Sequence, residues 1–253
     1  MSRPWKILLA LSIALNAAAL LALAARHRRP PAPSGGPYAA IYRAHRVSLF
    51  RVLDEQRRAR PRPSGEAPAP APIVFLGDSI TDGCEWAELL GRGDLVNRGI
   101  QGDTTADVLA RAPAIRAMEP RLVVLLVGVN DLLARRPLEA ITEDYARILT
   151  ALGPSTLALS VLPLRPALLD DPRAGEEARR LLPELDARVA RLAGAAGAHY
   201  ADLGAALADA RGDLDARYTE DGVHLNGEGY LRLGAALRPY LPGEPSRAEA
   251  PIK

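Results

Sequence analysis

At 253 residues, with 48% apolar and 25% charged residues, the chain has the size and balance of one or two folded domains able to bury a core. A net charge of +2, with much of the basic excess near the N-terminus, and only 4% aromatic residues leave no basic face interleaved with aromatics, which argues against nucleic-acid binding. The single cysteine, Cys84, excludes an intrachain disulfide and any CxxC metal site, and reads as a small packed thiol.

Ile7 to Ala25 is an apolar run of 19 residues interrupted by Ser12 and Asn16, preceded by Arg3 and Lys6 and closed by Arg26-His27-Arg28-Arg29. A bilayer-spanning helix needs about 20 such residues. A signal peptide usually has a shorter apolar core, although Ala22-Leu23-Ala24 offers a cleavage site. Residues 1–29 are therefore expected to form a membrane anchor or export signal, with the bulk of the chain outside the cytoplasm. A linker follows. Tyr38 to Arg60 then reads as a helix with Tyr38, Ile41, Tyr42, Leu49, Phe50, Val52 and Leu53 on one broad side, expected to pack on the next domain. Its basic residues keep a membrane-surface role open. Five of the twelve residues from Pro61 to Pro72 are proline, the composition of a semi-extended spacer.

From Ile73 the pattern alternates between strand and helix. Apolar runs at Ile73–Leu76, Leu95–Asn97, Leu122–Val127 and Leu157–Leu162, with a weaker one at His199–Ala201, read as strands. Between them, Thr105 to Ala117 reads as a helix through Pro113. Leu138, Ile141, Tyr145, Ile148, Leu149 and Leu152 form a helical stripe entered at Pro137. Leu185, Val189, Leu192 and Ala196 form another, entered at Pro183. Leu164 to Leu182 is expected to be a loop over the site, and Asn226 to cap a last helix reaching about Tyr240. The alternation predicts a parallel sheet with right-handed crossovers over residues 73–242. Residues 243–253 are expected to be a disordered tail.

Four stretches carry chemistry. Gly77-Asp78-Ser79 ends the first strand and lifts a serine to the sheet edge where α/β proteins bind ligands. Its flanks are not those of a G-x-S-x-G elbow. Gly102, in Asn97-Arg98-Gly99-Ile100-Gln101-Gly102-Asp103-Thr104-Thr105, has an N–H that a substrate oxygen can approach. Asn130, in Gly128-Val129-Asn130-Asp131, can point its amide at the same oxygen, while Asp131 supports the loop or caps the next segment. In Asp221-Gly222-Val223-His224 the aspartate stands three residues ahead of a histidine and can accept its Nδ1 proton. His199 has no such neighbour and reads as structural.

Together these stretches resemble the SGNH hydrolases, the GDSL esterase/lipase family, over about residues 73–240. Gly77-Asp78-Ser79 matches the first block, Gly102 the second, Gly128-x-Asn130-Asp131 the third and Asp221-x-x-His224 the fifth. The longer forms around Asn97 and Gly102 are similar to the branch of the platelet-activating-factor acetylhydrolase subunits and many bacterial acyl esterases. The resemblance implies a three-layer α/β/α flavodoxin-like fold around a five-stranded parallel sheet. It also implies a serine esterase with Ser79 as nucleophile, His224 as base, Asp221 orienting it, and an oxyanion hole of the Ser79 and Gly102 N–H groups and the Asn130 amide. Such chemistry requires no metal or organic cofactor. The expected partner is a small-molecule or glycan ester, with the membrane engaged through the N-terminal segment. Two other readings are a lipase-, lysophospholipase- or thioesterase-like hydrolase of longer acyl chains, and a non-catalytic glycan-binding domain.

Overall fold

The computed structural model describes residues 36–59 and 71–243; the apolar run at 7–25, most of the linker after it, the spacer at 61–70 and the tail from 244 lie outside the described residues. No helix among the described residues is long and apolar enough to cross a membrane.

Five strands form one all-parallel sheet: β1 (Ile73–Gly77), β2 (Leu95–Gly99), β3 (Leu122–Leu126), β4 (Thr156–Leu159) and β5 (His199–Ala201), in the order β2-β1-β3-β4-β5. Every residue of β1, β3 and β4 is buried, as expected for strands covered by helices on both faces. Helices α2 (Ser79–Asp82) and α3 (Trp86–Leu90) connect β1 to β2. Then α4 (Thr105–Arg116) leads to β3, α5 (Val129–Leu133) and α6 (Leu138–Leu152) to β4, and α7 (Pro172–Ala195) to β5, with α8 (Gly227–Leu237) closing the chain. The β1–β2 step runs opposite to the later ones. Right-handed crossovers therefore send α3 to one face and α4, α6 and α7 to the other. The packing agrees: α6 touches both α4 and α7, while α8 lies against α3. The reversal of strand order between β1 and β3 opens a crevice at their carboxyl ends, where this kind of sheet binds ligands.

Two boundaries differ from the sequence reading. The fourth strand stops at Leu159, and the buried residues Val161 and Leu162 continue as irregular chain. The expected loop 164–182 is helical from Pro172, and Pro183 lies inside α7 instead of opening it. Asp171 caps this helix by accepting from the Ala174 N–H, and Pro172 takes the first helical position. The buried face continues through the proline as Ala174, Ala178, Leu185, Val189 and Ala193. Small alanines gave the first half no apolar signature. Packing of the whole face offsets the roughly 3 kcal/mol that an internal proline costs. Asn226 caps α8 as expected, its side chain accepting from the Gly229 N–H.

The helix before the spacer, α1 (Gly36–Ala59), forms where predicted and packs on the next domain, but of its expected apolar side only Tyr42 and Phe50 face inward. Tyr38 and Ile41 are 73% and 68% exposed, and Leu49, Val52 and Leu53 are exposed as well. The docked side carries Tyr42, Arg43, Arg46, Phe50 and Asp54. Tyr42 and Arg46 bond Asp82, Arg43 bonds Asp103, and Asp54 pairs with Arg98. The Phe50 ring lies 4.7 Å from the Arg46 guanidinium and 4.6 Å from that of Arg98. Asp82 at the end of α2, Arg98 of β2 and Asp103 in the loop after β2 thus selected a stripe of mixed charged and aromatic residues.

Candidate active site

Ser79 stands at the first position of α2, directly after β1, and is 9% exposed. Asp78 caps that helix by accepting from the Ile80 N–H at 3.0 Å. Burial pushes the Asp78 carboxyl up to about 7; the Ile80 N–H opposes this and the charges of Asp103 and Asp131 add to it. Beneath the turn the scarce aromatics gather. Phe75 stacks on Trp86 at 4.5 Å, Trp86 meets Tyr230 edge-on at 6.1 Å, and the Trp86 Nε1–H donates to the Thr81 carbonyl. Asn97 of β2 donates to the carbonyls of Thr81 and Cys84. Cys84 is buried, and burial raises its thiol to about 12, so it stays a neutral packing group.

The loop after β2 carries Gly102 at φ +77°, a conformation that suits glycine. Asp103, fully buried, follows; its carboxylate takes Arg43 on one oxygen and Arg111 on the other. After β3, the Asn130 Nδ2 donates to the Asp103 carbonyl at 2.9 Å. Asp131, also fully buried, accepts from the Thr105 N–H and hydroxyl and from Arg136. It fastens the β3 turn to the start of α4, the supporting role that the sequence suggested. Loops after β1, β2 and β3 thus bring Ser79, Gly102 and Asn130 to the same edge of the sheet.

His224 comes from the segment before α8. Its Nε2 lies 2.9 Å from Ser79 Oγ, and its Nδ1 lies 2.6 Å from Asp221 Oδ2. The other Asp221 oxygen accepts from the backbone N–H groups of Val223 and His224. Partial burial works against the Asp221 charge, but the His224 ring and these amides prevail and hold the carboxyl below its usual range. A carboxylate on Nδ1 leaves Nε2 as the basic nitrogen facing the serine. Gly222, at φ +86°, brings the chain so close to Arg165 that a Cβ there would sit 2.4 Å from the Arg165 carbonyl oxygen. His199 opens β5, exposed and at the opposite end of the sheet from this edge.

Sequence reasoning missed the arginines paired with the buried acids: Arg43 and Arg111 on Asp103, Arg136 on Asp131. For Arg43 the available signal was its helical spacing with Arg46, Phe50 and Asp54, hidden by the exposed apolar residues of the same helix.

A parallel sheet whose first three carboxyl ends gather a serine, a glycine loop and an asparagine, with a histidine–aspartate pair closing on the serine, defines a class of ester-cleaving α/β hydrolases. The GDSL-like lipase/acylhydrolase family matches residues 75–232, more than half of the chain, and the chain belongs to that family of hydrolases acting on esters. No curated protein matches significantly. Among solved structures, a Streptococcus pneumonia protein named after platelet activating factor superposes with a TM-score of 0.64 at 22% identity, covering 80% of this chain and 94% of its own. A GDSL-like lipase from Bacteroides thetaiotaomicron gives 0.62 at 23% identity, covering 76% of this chain and 95% of its own. A catalytic mutant of an acetylxylan esterase from Geobacillus stearothermophilus gives 0.53 at 21%, covering 71% and 98%. At such identities the likeness is one of fold.

Proposed function

We propose that the protein is a serine esterase that hydrolyses acetyl or short acyl esters, on small molecules or on glycans. One observation carries the reading: Asp221, His224 and Ser79 form an unbroken hydrogen-bonded chain ending at a serine on the switch-point edge of the sheet. Ser79 Oγ attacks the ester carbonyl while His224 Nε2 takes its proton. Asp221 stabilises the imidazolium that results. The tetrahedral oxyanion is held by the N–H groups of Ser79 and Gly102 and by the Asn130 amide. On collapse the C–O bond to the alcohol breaks and His224 returns its proton to the leaving oxygen. Water, deprotonated by the same histidine, then releases the acid and regenerates Ser79. The acetylxylan esterase fold-mate supports an acetylated glycan as substrate. The apolar run Ile7–Ala25 supports placement outside the cytoplasm, held by a membrane anchor.

The test uses the full-length chain, wild type and Ser79→Ala, with p-nitrophenyl acetate, butyrate and octanoate and with a serine-reactive fluorophosphonate. Turnover and labelling are expected in the wild type and absent in Ser79→Ala. Asn130→Ala should lose about 10²–10³ in kcat, the usual cost of one oxyanion donor. Preference for octanoate would move the reading to longer acyl chains. Absence of turnover and labelling in a folded wild type would overturn it in favour of a glycan-binding domain.

A further inference from the structure

We propose that Arg43 of α1, which lies outside the family-matched segment, is a positioning residue for the oxyanion hole. The inference rests on the esterase reading above. Arg43 makes three bonds to one stretch of chain. Its Nη2–H donates to the Gly102 carbonyl at 3.1 Å, its Nε–H to Asp103 Oδ1 at 2.9 Å, and its Nη1 lies 3.0 Å from Asp107 Oδ1.

Two of the three oxyanion donors depend on this stretch. Gly102 supplies one N–H, and its positive φ and missing side chain leave the flanking peptide planes free to turn unless something holds them. Arg43 holds the carbonyl of the following plane. The carbonyl of the next residue, Asp103, receives the Asn130 amide and so aims the second donor. Arg111 grips the other oxygen of the Asp103 carboxylate from within the family segment, whereas Arg43 binds both the side chain and the Gly102 carbonyl. The planar, five-donor guanidinium can make these bonds together; an ammonium cannot. Tyr42 and Arg46 of the same helix bond Asp82 at the end of the nucleophile helix, so α1 ties the nucleophile and the hole to one rod.

The experiment compares full-length wild type, Arg43→Gln, Arg43→Lys and Arg51→Gln, the last an exposed arginine on the same helix. Arg111 remains on Asp103 in every variant. Arg43→Gln is expected to lower kcat about 10–100-fold, the scale of a misplaced catalytic group, with KM within about two-fold. Arg43→Lys should recover part of that loss, and Arg51→Gln should match wild type. In an Asn130→Ala background Arg43→Gln should cost far less than it does alone, because both act on the same hole. Hydrogen exchange across residues 100–107 should quicken in Arg43→Gln. Unchanged kcat in Arg43→Gln, or a loss that multiplies fully with that of Asn130→Ala, would overturn the proposal. Should the glutamine variant not fold, Arg43→Lys decides, wild-type kcat again overturning it. If the wild type shows no Ser79-dependent turnover, the esterase reading is what fails. Exchange at residues 100–107 then judges the anchoring alone, and no change in Arg43→Gln overturns it.

Discussion

The Ser79 turn and the His224 loop meet at a single 2.9 Å hydrogen bond, yet they are built from different materials. Ser79 sits on the hydrophobic core, with β1 behind it and Phe75, Trp86 and Tyr230 packed beneath the α2–α3 region. Asp221 and His224 have side chains 53% and 46% exposed, on a segment without regular secondary structure. That segment is held by hydrogen bonds instead: Thr219 Oγ1 accepts from the Gly222 N–H, and the Gly222 carbonyl accepts from the Arg165 N–H. The proposed mechanism accounts for the contrast. A nucleophile must stay fixed relative to several donors and need not carry charge for long, so burial suits it. A base must become an imidazolium, and burial would penalise that charge.

The comparison predicts that damage to the two regions registers in different measurements. His224→Ala should lose roughly 10⁴–10⁶ in kcat, while its melting temperature stays within about 2 °C of wild type, because the side chain is half exposed and contributes little packing. A large loss of stability in His224→Ala would show that the His224 loop is part of the core after all.

Trp86→Ala is the opposite case. Removing a side chain that is 3% exposed and stacked on Phe75 should cost about 3–5 kcal/mol, or about 6–20 °C in Tm. Denaturant or thermal unfolding checks this directly. Fluorophosphonate labelling of whatever fraction remains folded should slow, because Trp86 also holds the Thr81 carbonyl inside α2. An unchanged Tm would mean that the aromatic stack does not support the turn.

The same contrast governs how much could be read from the chain. The Ser79 turn was legible because a buried strand ending in Gly-Asp-Ser is a local pattern. The sheet was legible from apolar runs, although β4 ended before the run did: Val161 and Leu162 are buried outside the ladder, and burial does not distinguish a strand from a buried loop. The hydrogen bond between Asp221 and His224 was legible from their spacing. The first half of α7 was not, since alanine carries its buried face there. The docking of α1 was legible, but its exact side was not, because acids far away in sequence, Asp82 and Asp103, decided which side of the helix would turn inward. Long-range charge pairing leaves no periodic trace.

A smaller change probes the joint between the regions. Gly222→Ala puts a Cβ at positive φ, against the Arg165 carbonyl and the Leu168 side chain. Strain of this kind costs on the order of 1–3 kcal/mol. The loop is expected to relieve it by shifting His224, so kcat should fall by about 10²-fold with a modest drop in Tm. If stability falls and kcat does not, the loop moves as a unit that keeps the hydrogen bond to Ser79.

The smallest expected effect lies one layer further back, where the segment leading to Arg165 is anchored. Asp186 of α7 accepts from the Val161 N–H at 2.9 Å and lines a solvent-open cavity of about 400 Å³ with Tyr200 and Asp202. No arginine among the described residues offsets its charge in the way Arg43, Arg111 and Arg136 do for the acids around Ser79. Burial raises its carboxyl from 3.8 to about 7, against the pull of the Val161 N–H and with a further push from Asp202. The folded state therefore keeps a proton that the unfolded chain gives up above about pH 4. The stability of the protonated form is fully present below that pH and is lost as pH rises through about 7. Asp186→Asn keeps the acceptor for Val161 and removes the titration. The variant should match wild type near pH 4 and exceed it above pH 7 by on the order of 1 kcal/mol, since water in the cavity screens part of the charge. That is about 2–4 °C in Tm. Melting curves from pH 4 to 8 read the divergence. Parallel curves would mean that Asp186 is ionised throughout and that water, not protonation, accommodates it.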